Sequence, residues 1–211
     1  MAARRRNVPR RNPSADASLS VRPLARDDGP AVARLFGGNG ACGGCWCMHW
    51  RSEKGVDWDA VKGAPNRRKL MGLIKAGEVH AVLAFAGGEV VGWCQLGPRR
   101  DFARLLRSRV MNPGAPEDTW AVTCFFIPAA WRGRGVGRAL LDGAVSLAKA
   151  AGARRLEGYP VSMTGRGGKR YAAAFAFVGV PSLFERGGFR DVTPEGASRP
   201  VYRRSFRQPA S

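Results

Sequence analysis

The chain has 211 residues, of which 45% are hydrophobic and 24% charged, enough for one well-buried domain and short of what two normally need. No apolar run is long enough to span a bilayer, and the arginines of MAARRRNVPRRNPSADAS have no apolar stretch behind them, so neither a membrane segment nor a secretory signal is expected and the location reads as cytoplasmic. A net charge of +19, from 35 Lys and Arg against 16 Asp and Glu, is a surplus that attracts nucleic acid, anionic lipid or an anionic cofactor.

Residues 1–18 read as a disordered basic tail and residues 19–207 as the folded domain. No RNP-type aromatic pattern, zinc-finger spacing or basic heptad follows the tail, so nucleic acid is open only through the basic surface and is not the expected partner. LSVRPL, Leu19 to Leu24, alternates like a short strand, and DDGPAVARLFGG reads as a helix capped by Asp27 or Asp28 and closed at Gly37. The loop GGNGACGGCWCMHW, Gly37 to Trp50, comes next. A polar helical pattern covers about Asp57 to Ala76, with Gly77 as its stop and Gly63 and Pro65 dividing it. Gly87-Gly88 between two β-rich runs marks a two-residue hairpin, with strands near 78–86 and 89–97. RDFARLLRSR is a short basic helix ahead of the breaker-rich MNPGAPED.

WAVTCFFIP, Trp120 to Pro128, is apolar with β-branched and aromatic residues and fits a strand buried on both faces. From Val136, small and apolar residues recur at helical spacing through Leu140, Ala144 and Leu147 to Ala151, and Gly152 closes the helix. RRLEGYPV is a further strand, SMTGRGGKRY a flexible loop, PSLFERGG a short helix with Pro181 near its start, and GFRDV and RPVYRRSF two terminal strands. Together these elements give a mixed sheet with helices on both faces, α/β or α+β in class.

Between the buried strand and the long helix lies AAWRGRGVGR. Glycines 133, 135 and 137 feeding a helix N-terminus offer unpaired backbone N–H groups and the positive end of a dipole, an anion site. Arg132, Arg134 and Arg138 add donors that suit a pyrophosphate. The segment lacks the Lys-Ser/Thr of a P-loop, and G-x-G-x-G set off from its strand by Pro128 to Arg132 departs from the dinucleotide fingerprint.

The pattern R-x-x-G-x-G, formed by Arg132, Gly135 and Gly137, resembles the signature of the GNAT superfamily of acetyl-CoA-dependent N-acetyltransferases. A second family element, short helix then G-F then strand, is matched by SLFERGGF, Ser182 to Phe189. The resemblance runs from about Leu19 to Phe206 by element order. It implies a mostly antiparallel sheet with a central splay between the Trp120–Pro128 and RRLEGYPV strands. The backbone of Phe125, Phe126 and Ile127 would face the pantetheine arm there, and Arg132, Gly133, Arg134, Gly135, Val136, Gly137 and Arg138 would hold the pyrophosphate. The implied activity is direct transfer of acetyl from acetyl-CoA to an amine of a small molecule or peptide. The alternative is a non-catalytic nucleic-acid- or ribosome-associated module on the same fold.

Acetyl transfer to a basic amine normally needs a proton acceptor, because an amine of pKa ~10.4 is almost wholly protonated at pH 7. Many family members place a Glu or His on the strand before the signature; Ala121 and Thr123 stand there in this chain. Many place a tyrosine in the short final helix, where this chain has Phe184. Tyr159 is the preferred acid, with Glu157 two residues earlier on the same face; Ser182 and Cys124 are the remaining candidates, Cys124 reading rather as core.

His80, between apolar neighbours, reads as a packed residue. Cys42, Cys45, Cys47 and His49 have some of the chemistry of a zinc site, but three of the four crowd into five residues and no second C-x-x-C follows, so no metal is expected. By the resemblance this loop lies over the acceptor end of the cofactor, where Trp46, Met48, His49 and Trp50 would line the acceptor pocket; packing as a small satellite core is the competing reading.

Overall fold

The computed structural model describes residues 18–108, 111, 116–162 and 173–207. Strand β1 (Leu19–Pro23) is followed by helices α1 (Gly29–Phe36), α2 (Trp58–Val61) and α3 (Ala64–Ala76), then by the hairpin β2 (Ala81–Ala86) and β3 (Glu89–Pro98). After α4 (Ala103–Leu106) come β4 (Thr119–Phe126), α5 (Val136–Ala150), β5 (Arg155–Gly158), α6 (Pro181–Arg186), β6 (Arg190–Asp191) and β7 (Tyr202–Ser205). The element order is that expected from the sequence. The basic tail and the SMTGRGGKRY loop beyond Ser162 lie outside the described residues.

Local chemistry explains most boundaries. Gly87 and Gly88 both have positive φ, 56° and 80°, as a tight hairpin turn demands. Asp28 stands at the start of α1 as expected but does not cap it. Its carboxylate accepts from Ala25 N at 2.7 Å and pairs with Arg22 at 2.6 Å, tying the β1 end to the helix entrance. The Arg22 guanidinium holds that carboxyl below the usual carboxylate range.

The strands form one sheet in the order β1-β2-β3-β4-β5-β7-β6, antiparallel throughout except for β4 and β5. Alternation along the central strands feeds two layers. On one face Val82, Ala84, Cys94, Leu96, Trp120 and Val122 pack against Leu140, Leu141 and Ala144 of α5 and Phe184 of α6. On the other, Ala81, Leu83 and Trp93 pack against Val32 and Phe36 of α1 and Leu70 and Ile74 of α3. Helix α5 sits unusually close to the sheet. A Cβ on Gly92 would come 2.8 Å from Val136, and one on Gly143 would come 2.8 Å from Val82, so these two small residues set the spacing of the layer.

Strand β4 carries two irregularities. Its register with β3 shifts between Gln95↔Cys124 and Leu96↔Val122, leaving Thr123 as an extra residue. This bulge reverses the parity beyond it, so that Cys124 faces the α1 side and Phe125 the α5 side. On its other edge, β4 pairs with β5 only from Thr119↔Arg155 to Val122↔Gly158, so Thr123 to Phe126 run on past the last paired residue. The turn Ala173–Val178 lies alongside this part of the sheet.

A buried ion cluster fixes β5. Glu157 is 0% exposed and lies across from Arg203 of β7. Its Oε1 accepts from Arg203 Nε at 2.9 Å, and its Oε2 accepts from Arg99 Nη1 at 2.6 Å and from the Tyr159 hydroxyl at 2.8 Å. Arg99 also donates to the Tyr159 oxygen and, at 3.2 Å, to Met111 O. Replacing one member of such a cluster leaves the others with the wrong charge balance in a low-dielectric site. Glu157→Gln is expected to cost roughly 3–5 kcal/mol in chemical denaturation. At the end of the same strand, a Cβ on Gly158 would fall within the buried Phe184 ring. Gly158→Ala is therefore expected to lower stability by about 1–3 kcal/mol, measured the same way.

Candidate active site

The extra length of β4 opens onto two cavities. One, about 440 Å³, is bounded by Phe125, Phe126 and Ile127, by Arg132, and by Ala176 and Phe177. The other, about 240 Å³, is walled by the cysteine loop and Cys124 on one side and by aromatic rings on the other. The cavities share Ala41, Cys42, Phe125, Phe126 and Phe177, so they form one groove running from the arginine loop to the cysteine loop.

At the arginine end, Arg132, Gly133, Arg134 and Gly135 are all exposed. Gly135 occupies the N-cap position of α5 with φ 79°, and Gly133 has φ 73°; neither has a neighbouring atom within 4 Å of where a side chain would begin. The loop is thus free of side-chain cover, and the first N–H groups of a fifteen-residue helix lie directly behind it. Arg132 Nε donates to Ile127 O at 3.0 Å, and the Arg134 guanidinium rests over the Trp131 ring at 5.4 Å. Val136 is buried against Gly92, leaving only its backbone for a ligand. Arg138 is engaged elsewhere: its Nε meets Asp142 Oδ2 at 2.7 Å and its Nη1 donates to Arg186 O, which ties α5 to the end of α6. Exposed guanidiniums beside an uncovered helix N-terminus are the chemistry an anionic pyrophosphate requires.

At the other end, the residues expected to line an acceptor pocket divide. His49 lines the smaller cavity, edge-on to Trp50 at 5.1 Å and Trp58 at 5.4 Å. Burial, reinforced by the Arg104 charge, pulls its pKa down to about 4, so the ring is neutral near pH 7. Trp46 and Met48 do not reach either of these cavities. Trp46 packs on Phe36 with ring centroids 5.6 Å apart, and Met48 is 2% exposed in the same core, because alternate residues of the loop point to opposite sides. Trp50, Trp58 and Phe177 provide the aromatic wall. Nothing in the sequence marks Trp58 or Phe177 for this role, since each reads as an ordinary helix or loop aromatic.

Tyr159 and Glu157 are brought together, but in the buried cluster that fixes β5, and neither lines the groove. Tyr159 is 1% exposed; burial and then the Glu157 charge push its phenol well above the usual range, keeping it protonated. Ser182 is exposed on α6, and Phe184 is fully buried against Phe189. His80 packs against Trp120 with ring centroids 4.7 Å apart and the planes tilted by 48°. Cys124, by contrast, lines the smaller cavity as a result of the bulge. Among the described residues no group of three or more His, Cys, Asp and Glu side chains is arranged to hold a metal ion, and no helix is long and apolar enough to cross a membrane.

The cysteine loop is held in a costly conformation. Ala41, Trp46 and Cys47 have φ of 68°, 44° and 52°, left-handed values that cost a residue with a side chain roughly 1–2 kcal/mol each. Close packing enforces it: a side chain on Gly40 would strike the Trp46 indole, and one on Gly44 would come 2.7 Å from the Gly63 backbone, whose N–H donates to Gly44 O at 2.8 Å.

Similarities to known proteins agree with this geometry. An N-acetyltransferase of Thermoplasma acidophilum, PaiA, in complex with coenzyme A, matches over 90% of this chain and 99% of its own, with a TM-score of 0.51 at 13% identity. An N-acetyltransferase of Staphylococcus aureus Mu50 matches over 90% and 99%, at 0.50 and 16%. The yncA protein of Salmonella typhimurium, with its cofactor acetyl-CoA, matches over 92% and 96%, at 0.50 and 14%. No curated protein sequence is significantly similar to the chain. At these identities the structural matches establish the fold, and the family is established by the sequence itself. The model of the acetyltransferase (GNAT) family matches residues 47–166, more than half of the 211, and takes in the end of the cysteine loop, the free end of β4 and the arginine-glycine loop. The chain therefore belongs to the GNAT family and is an acetyl-CoA-dependent N-acetyltransferase.

Proposed function

We propose that the enzyme passes acetyl directly from acetyl-CoA to the amine of a small molecule or peptide bound in the smaller cavity. The observation that carries this reading is the run of Thr123 to Phe126 past the end of β5, at the junction of the two cavities and just ahead of Arg132. On the edge facing away from β3, backbone groups with no partner strand among the described residues are available there to an extended pantetheine arm, and a backbone N–H can stabilise a developing oxyanion.

In this reading the main chain of Phe125, Phe126 and Ile127 guides the arm. Gly133 and Gly135 admit the pyrophosphate, Arg132 and Arg134 bind it, and Val136, Gly137 and Arg138 contribute their N–H groups. Acetyl-CoA supplies an activated thioester carbonyl. His49, with Trp50, Trp58 and Phe177, shapes the acceptor side, and Trp46 and Met48 support it from beneath. Glu157 and Tyr159 act as positioning residues, holding β5 where β4 departs from it. The described cysteines are all free thiols, which suits a reducing compartment and supports a cytoplasmic location.

The reading is tested by calorimetry with acetyl-CoA and by thiol release over a panel of amines. Arg132→Ala with Arg134→Ala is expected to weaken acetyl-CoA binding about a hundredfold or more, since each charge-assisted contact is worth roughly 1.5–3 kcal/mol; unchanged affinity would remove the loop from the cofactor site. Tyr159→Phe is expected to lower kcat while leaving KM for acetyl-CoA in place, as misplacement of the reacting groups requires. Equal kcat in the variant would end the positioning role.

A further inference from the structure

The structure assigns Cys45 as the proton acceptor for the incoming amine. Cys45 lines the smaller cavity together with Cys124, Phe125 and Phe126, in the groove the acetyl group must enter. This inference rests on the acetyltransferase reading above and names a residue and an acceptor class for it.

The other polar groups near the groove are less suited to accept a proton. Thr123 turns its hydroxyl to Gln95, with Oγ1 3.4 Å from Oε1 and 3.5 Å from the carbonyl, and Tyr159 is enclosed in the ion cluster. His49 is neutral but a weak base at a pKa of about 4. Cys45 is half-buried and set in a loop whose φ values at Gly40, Ala41, Gly43, Gly44, Trp46 and Cys47 are all positive. Hydrogen bonding with the Cys47 thiol, against the opposing effect of burial and with the help of the backbone of Cys42, Cys47 and Cys45, brings the Cys45 pKa down to about 6. The thiolate therefore dominates at pH 7.

Cys45 faces thiols from two elements. Cys42 and Cys47 come from its own loop, and both are held protonated by burial. Cys124 reaches it from β4 through Cys47, whose Sγ lies 3.5 Å from Cys124 Sγ, and Gly40 O lies 3.8 Å from the Cys45 sulfur. His49 shares the cavity, under the charge of Arg104. Trp50 of the same wall carries a buried indole N–H with no hydrogen-bond partner among the described residues, a donor left for a ligand to satisfy.

In the transfer step the amine nitrogen bonds to the acetyl carbon, its proton passes to Cys45 Sγ, the carbon–sulfur bond to CoA breaks, and the proton moves on to the departing CoA sulfur. Amide and CoA thiol leave, and the Cys45 thiolate is restored. A base of pKa about 6 is more than four orders of magnitude too weak to strip a lysine-like ammonium of pKa ~10.4. The acceptor is accordingly a weakly basic amine, an aromatic amine or a hydrazine, whose flat apolar body suits the Trp50, Trp58 and Phe177 wall.

The experiment compares aniline, phenylhydrazine and the strongly basic phenethylamine as acceptors from pH 5 to 9. In the wild type, kcat/KM for phenylhydrazine or aniline is expected to exceed that for phenethylamine and to rise through a limb near pH 6. Cys45→Ser is expected to remove the limb and lower kcat roughly 100-fold, with acetyl-CoA affinity unchanged. Iodoacetamide labelling of the wild type, mapped by peptide mass, should reach half its maximal rate at Cys45 near pH 6, which tests the thiolate without a variant. Retention of the limb and rate in Cys45→Ser, labelling of Cys45 only above pH 8, preference for phenethylamine, or an S-acetylated Cys45 in intact mass would each overturn the inference. Failure of the wild type to bind acetyl-CoA would instead count against the function proposed above.

Discussion

Strand β4 has to serve two partners of unequal length, and the site exists because of that mismatch. It is paired with β3 as far as Phe126, whereas β5 accompanies it only to Val122. In a closed sheet, Thr123 to Phe126 would have their backbone groups satisfied by a neighbouring strand and no ligand could reach them. Beyond Gly158 the chain turns away instead. Phe184 occupies the space above Gly158, and Val161 N donates to Gly179 O at 3.0 Å, closing a different connection. The ion cluster around Glu157 holds the paired part of the fork rigid, so the opening is a fixed feature and not a frayed end.

The bulge at Thr123 gives the opening its chemistry. Without it, strict alternation would place Thr123 and Phe125 on the α1 side and Cys124 on the α5 side. With it, Cys124 meets Cys47 across the groove, while Phe125 turns to pack edge-on against Phe184. One inserted residue thus exchanges a hydroxyl for a thiol at the cavity wall. The cysteine loop completes that wall at the cost of three strained non-glycine residues. Its closely packed glycines, Gly40 beneath Trp46 and Gly44 against Gly63, show what holds the strain in place.

Charge is distributed unequally along the groove. Two exposed guanidiniums stand at the arginine end, while the opposite end is bounded by sulfur, indole and phenyl groups and by a neutral imidazole. The two ends of the groove are therefore chemically distinct. The ordering of the two follows from where β4 meets α5. No carboxylate lines either cavity among the described residues.

The sequence by itself determined the order of elements, the hairpin at Gly87-Gly88, the division of the second helical stretch and the arginine-glycine loop, because each is written in local periodicity or in glycines that a turn requires. The arginine end of the groove was legible for the same reason: strand, loop and helix are contiguous in the chain. The cysteine end was not. Trp46 and Met48 went to the core while His49, Trp50 and Trp58 went to the cavity, a division set by backbone angles in a loop with no periodic pattern. Tyr159 and Glu157 share a face as their spacing requires, but only Arg99, 58 residues away from Glu157, and Arg203, 46 away, made this face a buried ion cluster that lines neither cavity. Cys124 changed sides through a bulge that one strand's alternation cannot reveal, since a bulge is a property of two strands in register.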